Sequence, residues 1–345
     1  MSGGVDSSVA AALTARAGHE AIGVTIKLLP KLETGFGCCG SPMDVEDARR
    51  VCEALGLRHY VVDMADLFEE RVIEPFVQSY LSGRTPNPCV ECNRSVKFGY
   101  LLSLAKAWNA QFVATGHYAR VEENRLLRAV DTQKDQTYFL YSLTARELNQ
   151  VMFPVGSLRK EEVRAVAREL GLKTADKPES QEICFVPNRD YRGFLRSRAN
   201  GSGSGPGPIR DSAGRTVGKH EGLENYTMGQ RKGLGVAASA PLYVLGMEAD
   251  SNTLVVGPEE RTYCSAFVTE QVSWTEEPPR GPLEGQVRIR HRHPPAQARL
   301  IPLEGSVVRV EFARPQRAIT PGQAAVFYQN ELVLGGGTIS SLSRE

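Results

Sequence analysis

Residues able to do chemistry fall into two groups that lie far apart in this chain. The first is Ser2-Gly3-Gly4-Val5-Asp6-Ser7-Ser8, a glycine–serine turn that runs into an alanine-rich amphipathic stretch. Adjacent glycines take positive φ and let backbone approach a ligand closely. Ser2, Ser7 and Ser8 add hydroxyls beside the unpaired N–H groups of a helix start. An anion placed there meets aligned amides and the positive end of the helix dipole. No lysine follows the glycines, so this is not the G-x-x-x-x-G-K-[ST] loop; an aspartate stands there instead.

The second group is thiols. Thr85-Pro86-Asn87-Pro88-Cys89-Val90-Glu91-Cys92-Asn93-Arg94 reads as a proline-stiffened loop that presents a C-x-x-C pair. Such a pair serves as half a zinc site, as a thioredoxin-like dithiol, or as the setting of a nucleophile. Zinc needs a second pair, and the adjacent Cys38-Cys39 matches the usual ligand spacing poorly. A nucleophile fits Arg94 and Lys97 just downstream, which would favour a thiolate, although spacing does not say which cysteine acts. Cys184, in Ile183-Cys184-Phe185-Val186, reads by spacing as a buried cysteine of an apolar strand. Cys52 and Cys264 read as core.

Positioning these residues requires a frame. The spacing predicts a helix from Val5 to about Ala17, a strand over 21–26, a helix ending at Gly56, and strands over 59–63 and 111–115. That βα alternation implies a doubly wound parallel sheet, with ligands beyond the carboxyl ends of its strands. The opening loop, Ile26 and Gly116-His117 would converge there. A phosphate loop is normally launched by a hydrophobic strand, so a strand upstream of Met1 is expected. A helix over about 160–170 precedes the thiol at Cys184. The run of Gly, Ser and Pro over 200–208 cannot pack and reads as a linker. Beyond it, short β-rich runs between Gly and Pro predict a small β-rich domain and then a barrel. The expected division is 1–198, 199–264 and 265–345.

At 345 residues the chain has room for two or three domains. A formal net charge of +1 leaves no blanket basic surface, so nucleic acid would have to meet local clusters such as Arg231-Lys232. Arg288, Arg290 and Arg292 alternate as on one strand face. Seven cysteines do not suggest a secreted disulfide scaffold. No apolar run is long enough to span a bilayer and no secretory signal opens the chain, so a cytoplasmic protein is expected. A monomer is expected as well, since no self-complementary apolar stripe is obvious.

The opening loop resembles the pyrophosphatase loop of N-type ATP pyrophosphatases, which cleave ATP between its α- and β-phosphates. The whole chain resembles the tRNA-specific 2-thiouridylases, which place sulfur on the wobble uridine of certain tRNAs. The resemblance is carried by SGGVDSS, GRTPNPCVECNRSVKFG at 83–99, ATGHYAR at 114–120, KDQTYFLY at 134–141 and SQEICF at 180–185. It continues in YTMGQRKGLG at 226–235, RIRHRH at 288–293 and TPGQAAVFY at 320–328.

The resemblance implies an adenine nucleotide alpha hydrolase-like catalytic domain ahead of the two β domains. It implies ATP contacts at Met1, Ser2, Gly3, Gly4, Val5, Asp6, Ser7, Ile26 and Gly116, with Mg²⁺ and no tightly bound cofactor. Asp6 would bind Mg²⁺ or order the loop, unless it is simply an acid favoured by the helix dipole. Cys92 matches the family nucleophile and Cys184 the persulfide carrier, with a transient Cys92–Cys184 disulfide during turnover. Asn87, Pro88 and Cys89 fall where the family meets the target base. His117, Lys134, Asp135, Gln136, Arg290, His291 and Gln323 fall where it meets tRNA. A persulfide donor and a thiol reductant are implied partners. Some relatives carry aspartate where this chain has Cys89, which leaves proton transfer at that position unassigned. An amide- or argininosuccinate-forming ligase, an iron–sulfur 2-thiocytidine enzyme and a non-catalytic RNA-binding protein are the rival readings.

Overall fold

The computed structural model describes residues 1–29, 40–178, 183–198 and 203–343. Cys38, Cys39, the first three residues of SQEICF and residues 200–202 of the predicted linker lie outside the described residues.

In chain order come α1 (Val5–Arg16), β1 (Ile22–Lys27), α2 (Pro42–Ala54), β2 (Arg58–Asp63) and α3 (Ala65–Phe68). A π-turn (Glu69–Ile73) leads to α4 (Glu74–Leu81), and α5 (Pro88–Glu91) leads into a second π-segment (Cys92–Phe98). Then follow α6 (Gly99–Ala107), β3 (Val113–Ala114), β4 (Ala119–Glu122), β5 (Arg125–Arg128), α7 (Ala145–Leu148), β6 (Val151–Met152), α8 (Lys160–Glu169) and α9 (Tyr191–Arg198). The rest is β: β7 (Gly207–Asp211), β8 (Thr216–His220), β9 (Tyr243–Glu248), β10 (Thr253–Gly257), β11 (Tyr263–Trp274) and β12 (Leu283–Arg288). Last come β13 (Ala296–Leu303), β14 (Val307–Arg317), β15 (Ala324–Gln329) and β16 (Leu332–Ser343).

Two compact units emerge: Met1–Ile73 with Pro88–Arg189 and Glu331–Leu334, and Glu74–Asn87 with Asp190–Asn330 and Gly335–Glu345.

In the first unit β1 pairs in parallel with β2 across α2, and β3 pairs in parallel with β6. Helix α1 packs Val5, Val9 and Ala10 into one core with Val163 and Ala167 of α8. Cys52 is fully buried as expected, and Gly23 lacks a side chain because its Cβ would collide with the Cys52 Sγ. The strand expected over 111–115 shrinks to Val113–Ala114, and Phe112 is exposed.

In the second unit β8, β7, β10 and β9 form a sheet in that order over Ile209, Leu223, Val244, Leu254 and Val256. Strands β11, β14, β13, β12, β15 and β16 follow one another, and β16 returns to β11 through Phe267↔Leu342 and Trp274↔Gly335, closing a barrel. Its interior holds Phe267, Val287, Leu300, Val310, Phe327 and Ile339, all fully buried. Closure removes the edges that an open sheet would leave exposed.

Candidate active site

The glycine–serine turn folds as a cradle. Gly3 has φ +71°, and the helix N-cap, Gly4, has no side-chain cap, so the amides of the first turn remain available. Ser2 N donates to Ser7 Oγ at 3.1 Å, the two hydroxyls lie 3.0 Å apart, and Ser7 and Ser8 hydroxyls donate back to Gly4 O. Gly116 comes so close that a Cβ would meet Asp6 C and Ser7 N at 2.5 Å. Only glycine allows the strand end at 116 to lie against the loop. Ile26 sits near the carboxyl end of β1, and the Met1 amine donates to Val24 O on the same strand. Backbone amides, positive φ and paired hydroxyls fit a polyphosphate.

Asp6 is engaged. Lys160 Nζ donates to both its oxygens, at 2.7 and 2.8 Å, and Tyr118 Oη donates to Oδ1 at 2.9 Å. Of the roles open to it in the sequence, the loop-ordering carboxylate is the one this geometry fits. Lys177 provides a second tether, with Nζ donating to Gly3 O at 3.0 Å, Asp44 Oδ1 at 2.8 Å and Asp47 Oδ2 at 2.6 Å. Burial works against its charge, but hydrogen bonds and charge from the two carboxylates outweigh that and hold the amine above its ordinary range. Neither lysine was singled out from the sequence. Lys160 begins a helix and Lys177 follows an Asp, positions where lysine is ordinary.

The C-x-x-C lies in a helix and not in a loop. Pro88 stands at the first helical position, where an N–H would have no helical partner and its absence costs nothing, so the prolines launch α5 instead of stiffening a turn. Cys89 and Cys92, three apart, share one face. Cys89 is half-buried, and Cys92, 6% exposed, opens the π-segment, a distortion often found at functional sites. Arg94, expected to favour a thiolate, is paired with Glu91, which also accepts from Ser95. Asn93 is buried, with Nδ2 donating to Phe139 O and Oδ1 left without a partner.

The π-segment ends at Phe98, whose ring lies 5.8 Å from His117. His117 packs on Phe153 as well, and Thr115 Oγ1 lies 2.9 Å from its Nδ1. Burial, then the charge of Lys97, lowers its pKa from 6.5 to about 3. His117 is therefore neutral at neutral pH and cannot act there as a fixed cation toward RNA. Below pH 6.5 the unfolded chain binds a proton at His117 that the folded chain refuses until about pH 3. Its contribution to stability is complete above 6.5 and is lost as pH falls, by at most about 1.4 kcal/mol per pH unit. Replacing His117 with Gln should flatten that part of the curve, read from urea midpoints at about pH 4.5 and about pH 7.

Cys184 is a half-buried thiol at a turn, not in a strand. Its neighbour Phe185 meets Phe68 of α3 edge-on at 5.7 Å, and α3 also contacts the π-segment that carries Cys92. The segments that carry the two thiols thus both contact α3, and no disulfide joins Cys92 and Cys184. Among the described residues no three or more His, Cys, Asp or Glu side chains gather as a metal site.

The tRNA set divides between the units. In the first, Asp135 is buried and accepts from Thr137, while Gln136 exchanges hydrogen bonds with the backbone of Tyr118. Lys134 is half-buried beside them, its N–H donating to Asp131 O. In the second, Asn87 is half-buried and Gln323 donates to backbone carbonyls. The expected arginine face does not form, because β12 ends at Arg288. Arg288 lies over the Tyr328 ring and donates to His291 O, whereas Arg290 and Arg292 are exposed on the following bend and turn. A groove of about 630 Å³ lies among residues 231–242, with Arg231 in its wall.

Residues 1–188 match the family described as tRNA methyl transferase HUP domain. Residues 192–258 match the tRNA methyl transferase PRC-barrel domain, and 264–339 the aminomethyltransferase beta-barrel domain. A protein of Heliobacterium modesticaldum named tRNA-specific 2-thiouridylase MnmA is 48% identical, over 98% of this chain and 91% of its own length. Proteins of the same name from Moorella thermoacetica and Desulfitobacterium hafniense are 48% and 47% identical, over 100% and 98% of this chain and 99% and 96% of their own.

Proposed function

Since this chain belongs to the tRNA-specific 2-thiouridylase family, we propose that it replaces the C2 oxygen of the wobble uridine of tRNA by sulfur, using ATP. One observation carries the reading: the phosphate cradle and the thiols Cys92 and Cys184 belong to one compact unit. Methyl transfer, the word in the family descriptions, calls for neither a cradle nor two thiols.

Oxide is too poor a leaving group for direct exchange. The C2 oxygen attacks the α-phosphorus, and pyrophosphate leaves toward the cradle of Ser2 to Ser8, whose amides meet the charge that develops. Mg²⁺ would supply further neutralisation of that charge. The terminal sulfur of a Cys184 persulfide then attacks C2 and AMP departs, leaving the base on Cys184 through a disulfide. The Cys92 thiolate attacks Cys184 Sγ, the sulfur–sulfur bond breaks, and its electron pair leaves on the 2-thiouracil sulfur. Alternatively Cys92 attacks the persulfide first and releases hydrosulfide as the nucleophile. Either route ends in a Cys92–Cys184 disulfide that a two-electron thiol reductant must open.

Further parts of the reading are ATP contacts at Met1 to Ser7, Ile26 and Gly116, and base contacts at Asn87, Pro88 and Cys89. RNA contacts at His117, Lys134, Asp135, Gln136, Arg290, His291 and Gln323 complete it. A persulfide donor, a cytoplasmic location, a monomer and the division at about 198 and about 264 belong to the same reading. In its support, no helix among the described residues is long and apolar enough to cross a membrane.

The test incubates the protein with unmodified tRNA transcript, ATP, Mg²⁺, a protein persulfide as sulfur donor and a thiol reductant, and measures the mass of its uridines. Replacement of oxygen by sulfur that depends on ATP supports the reading. Consumption of ATP without that change of mass would return the chain to the ligases.

A further inference from the structure

Thr85-Pro86-Asn87-Pro88 has an uneven hydrogen-bonding inventory. Pro86 and Pro88 carry no N–H, so the stretch offers carbonyls and few donors. Gln323 answers that inventory: its Nε2 donates to Thr85 O at 2.9 Å and to Pro86 O at 3.1 Å. Thr85 N donates in turn to Pro321 O at 3.0 Å. Gly322, at φ +91°, lies so close that a Cβ there would meet Thr85 N and O at 3.0 and 2.9 Å.

Gln323 is itself fixed in the barrel. Its carbonyl accepts from Ile339 N, and the preceding Gly322 N donates to Ile339 O, both at 2.8 Å. Among the described residues, Thr85 Oγ1 is buried without a partner, Arg84 N donates to Ser79 O at 2.9 Å, and the Arg84 side chain pairs with Glu270 at an exposed site. Both partners of the Gln323 amide are carbonyls, so its NH₂ must face them and Oε1 is left as an acceptor. Glutamate has nearly the same shape but no donor, and would set a carboxylate against two carbonyl oxygens.

We propose that Gln323 is a positioning residue whose amide pins Thr85-Pro86 to the barrel, so that the stretch leading in six positions to Cys92 is held before any RNA arrives. The catalytic part of this inference rests on the thiouridylase reading; the pin itself does not.

Hydrogen exchange of the full chain without RNA separates the two. In Gln323→Glu and Gln323→Ala, the amides of Thr85 and Asn87 should exchange at least about tenfold faster, with peptides of β11 to β14 unchanged. In tRNA thiolation, kcat should fall by a larger factor than KM for tRNA rises, the signature of a group that acts through the segment leading to the nucleophile as well as on RNA. Unchanged exchange at 85–87 with a raised KM in Gln323→Glu would overturn the proposal and leave an RNA contact alone. Faster exchange throughout the barrel would overturn it too, because Gln323 would then be holding the barrel. If the protein thiolated no tRNA, the exchange result would stand and only the functional reading would fall.

Discussion

Replacing Cys92 with serine should lower thiouridine formation by at least about a thousandfold while the protein stays folded. The hydroxyl is close to the thiol in size, and Cys92 is buried where α5 gives way to the π-segment, so packing changes little. What is lost is a nucleophile that can attack a sulfur–sulfur bond. Cys184→Ser should lose as much, since it removes the sulfur carrier, whereas Cys89→Ser should stay within about tenfold of the parent. Nucleoside mass spectrometry of the product tRNA measures all three. One round of pyrophosphate release should survive in Cys92→Ser, because adenylation precedes the thiol chemistry. A Cys92→Ser protein that thiolates at near the parent rate would remove Cys92 from the mechanism.

The second large effect concerns the ion pair under the cradle. Lys160 is well buried, with 11% of its side chain exposed, and Asp6 is partly so at 30%. Lys160→Met would leave the Asp6 carboxylate, among the described residues, with only the Tyr118 hydroxyl. Stranding a partly buried charge in this way should destabilise the fold by about 2–3 kcal/mol, toward the low side of fully buried pairs. It should also raise KM for ATP, since Asp6 lies within the first turn of α1, the proposed phosphate cradle. Adding Asp6→Asn should restore much of the stability but not the KM, because the stranded charge is gone and the tether still missing. Urea midpoints and ATP titration of the two variants check this. An Asp6→Asn/Lys160→Met protein as unstable as Lys160→Met would show that the charge is not the cause.

The loop and α1 were legible because their signals are local: adjacent glycines, hydroxyls and an alanine-rich run of helix-forming residues all lie within Ser2 to Arg16. For the same reason α8 stands close to where the spacing put it. Contacts between distant residues were not legible. Lys160 meets Asp6 across 154 positions and Lys177 meets Asp44 across 133, and no local pattern marks either lysine. Prolines around Cys89 suggested a loop because Pro breaks helices, yet Pro88 stands at the one helical position that tolerates it. The arginine alternation failed because period two persists past the end of a strand: β12 stops at Arg288, and the side chains beyond it answer to a turn.

Both compact units are sewn from several pieces of chain: the polypeptide crosses between them after Ile73, Asn87, Arg189, Asn330 and Leu334. Genetic exchange acts on contiguous stretches. A single crossover near codon 189 would carry away residues 331–334 of the first unit and leave 74–87 of the second behind. Each half of such a hybrid would inherit segments matched to a different parent. Recombination should therefore transmit this gene whole, and a library of chimaeras should yield active proteins chiefly when residues 74–87 and 190–330 come from the same parent.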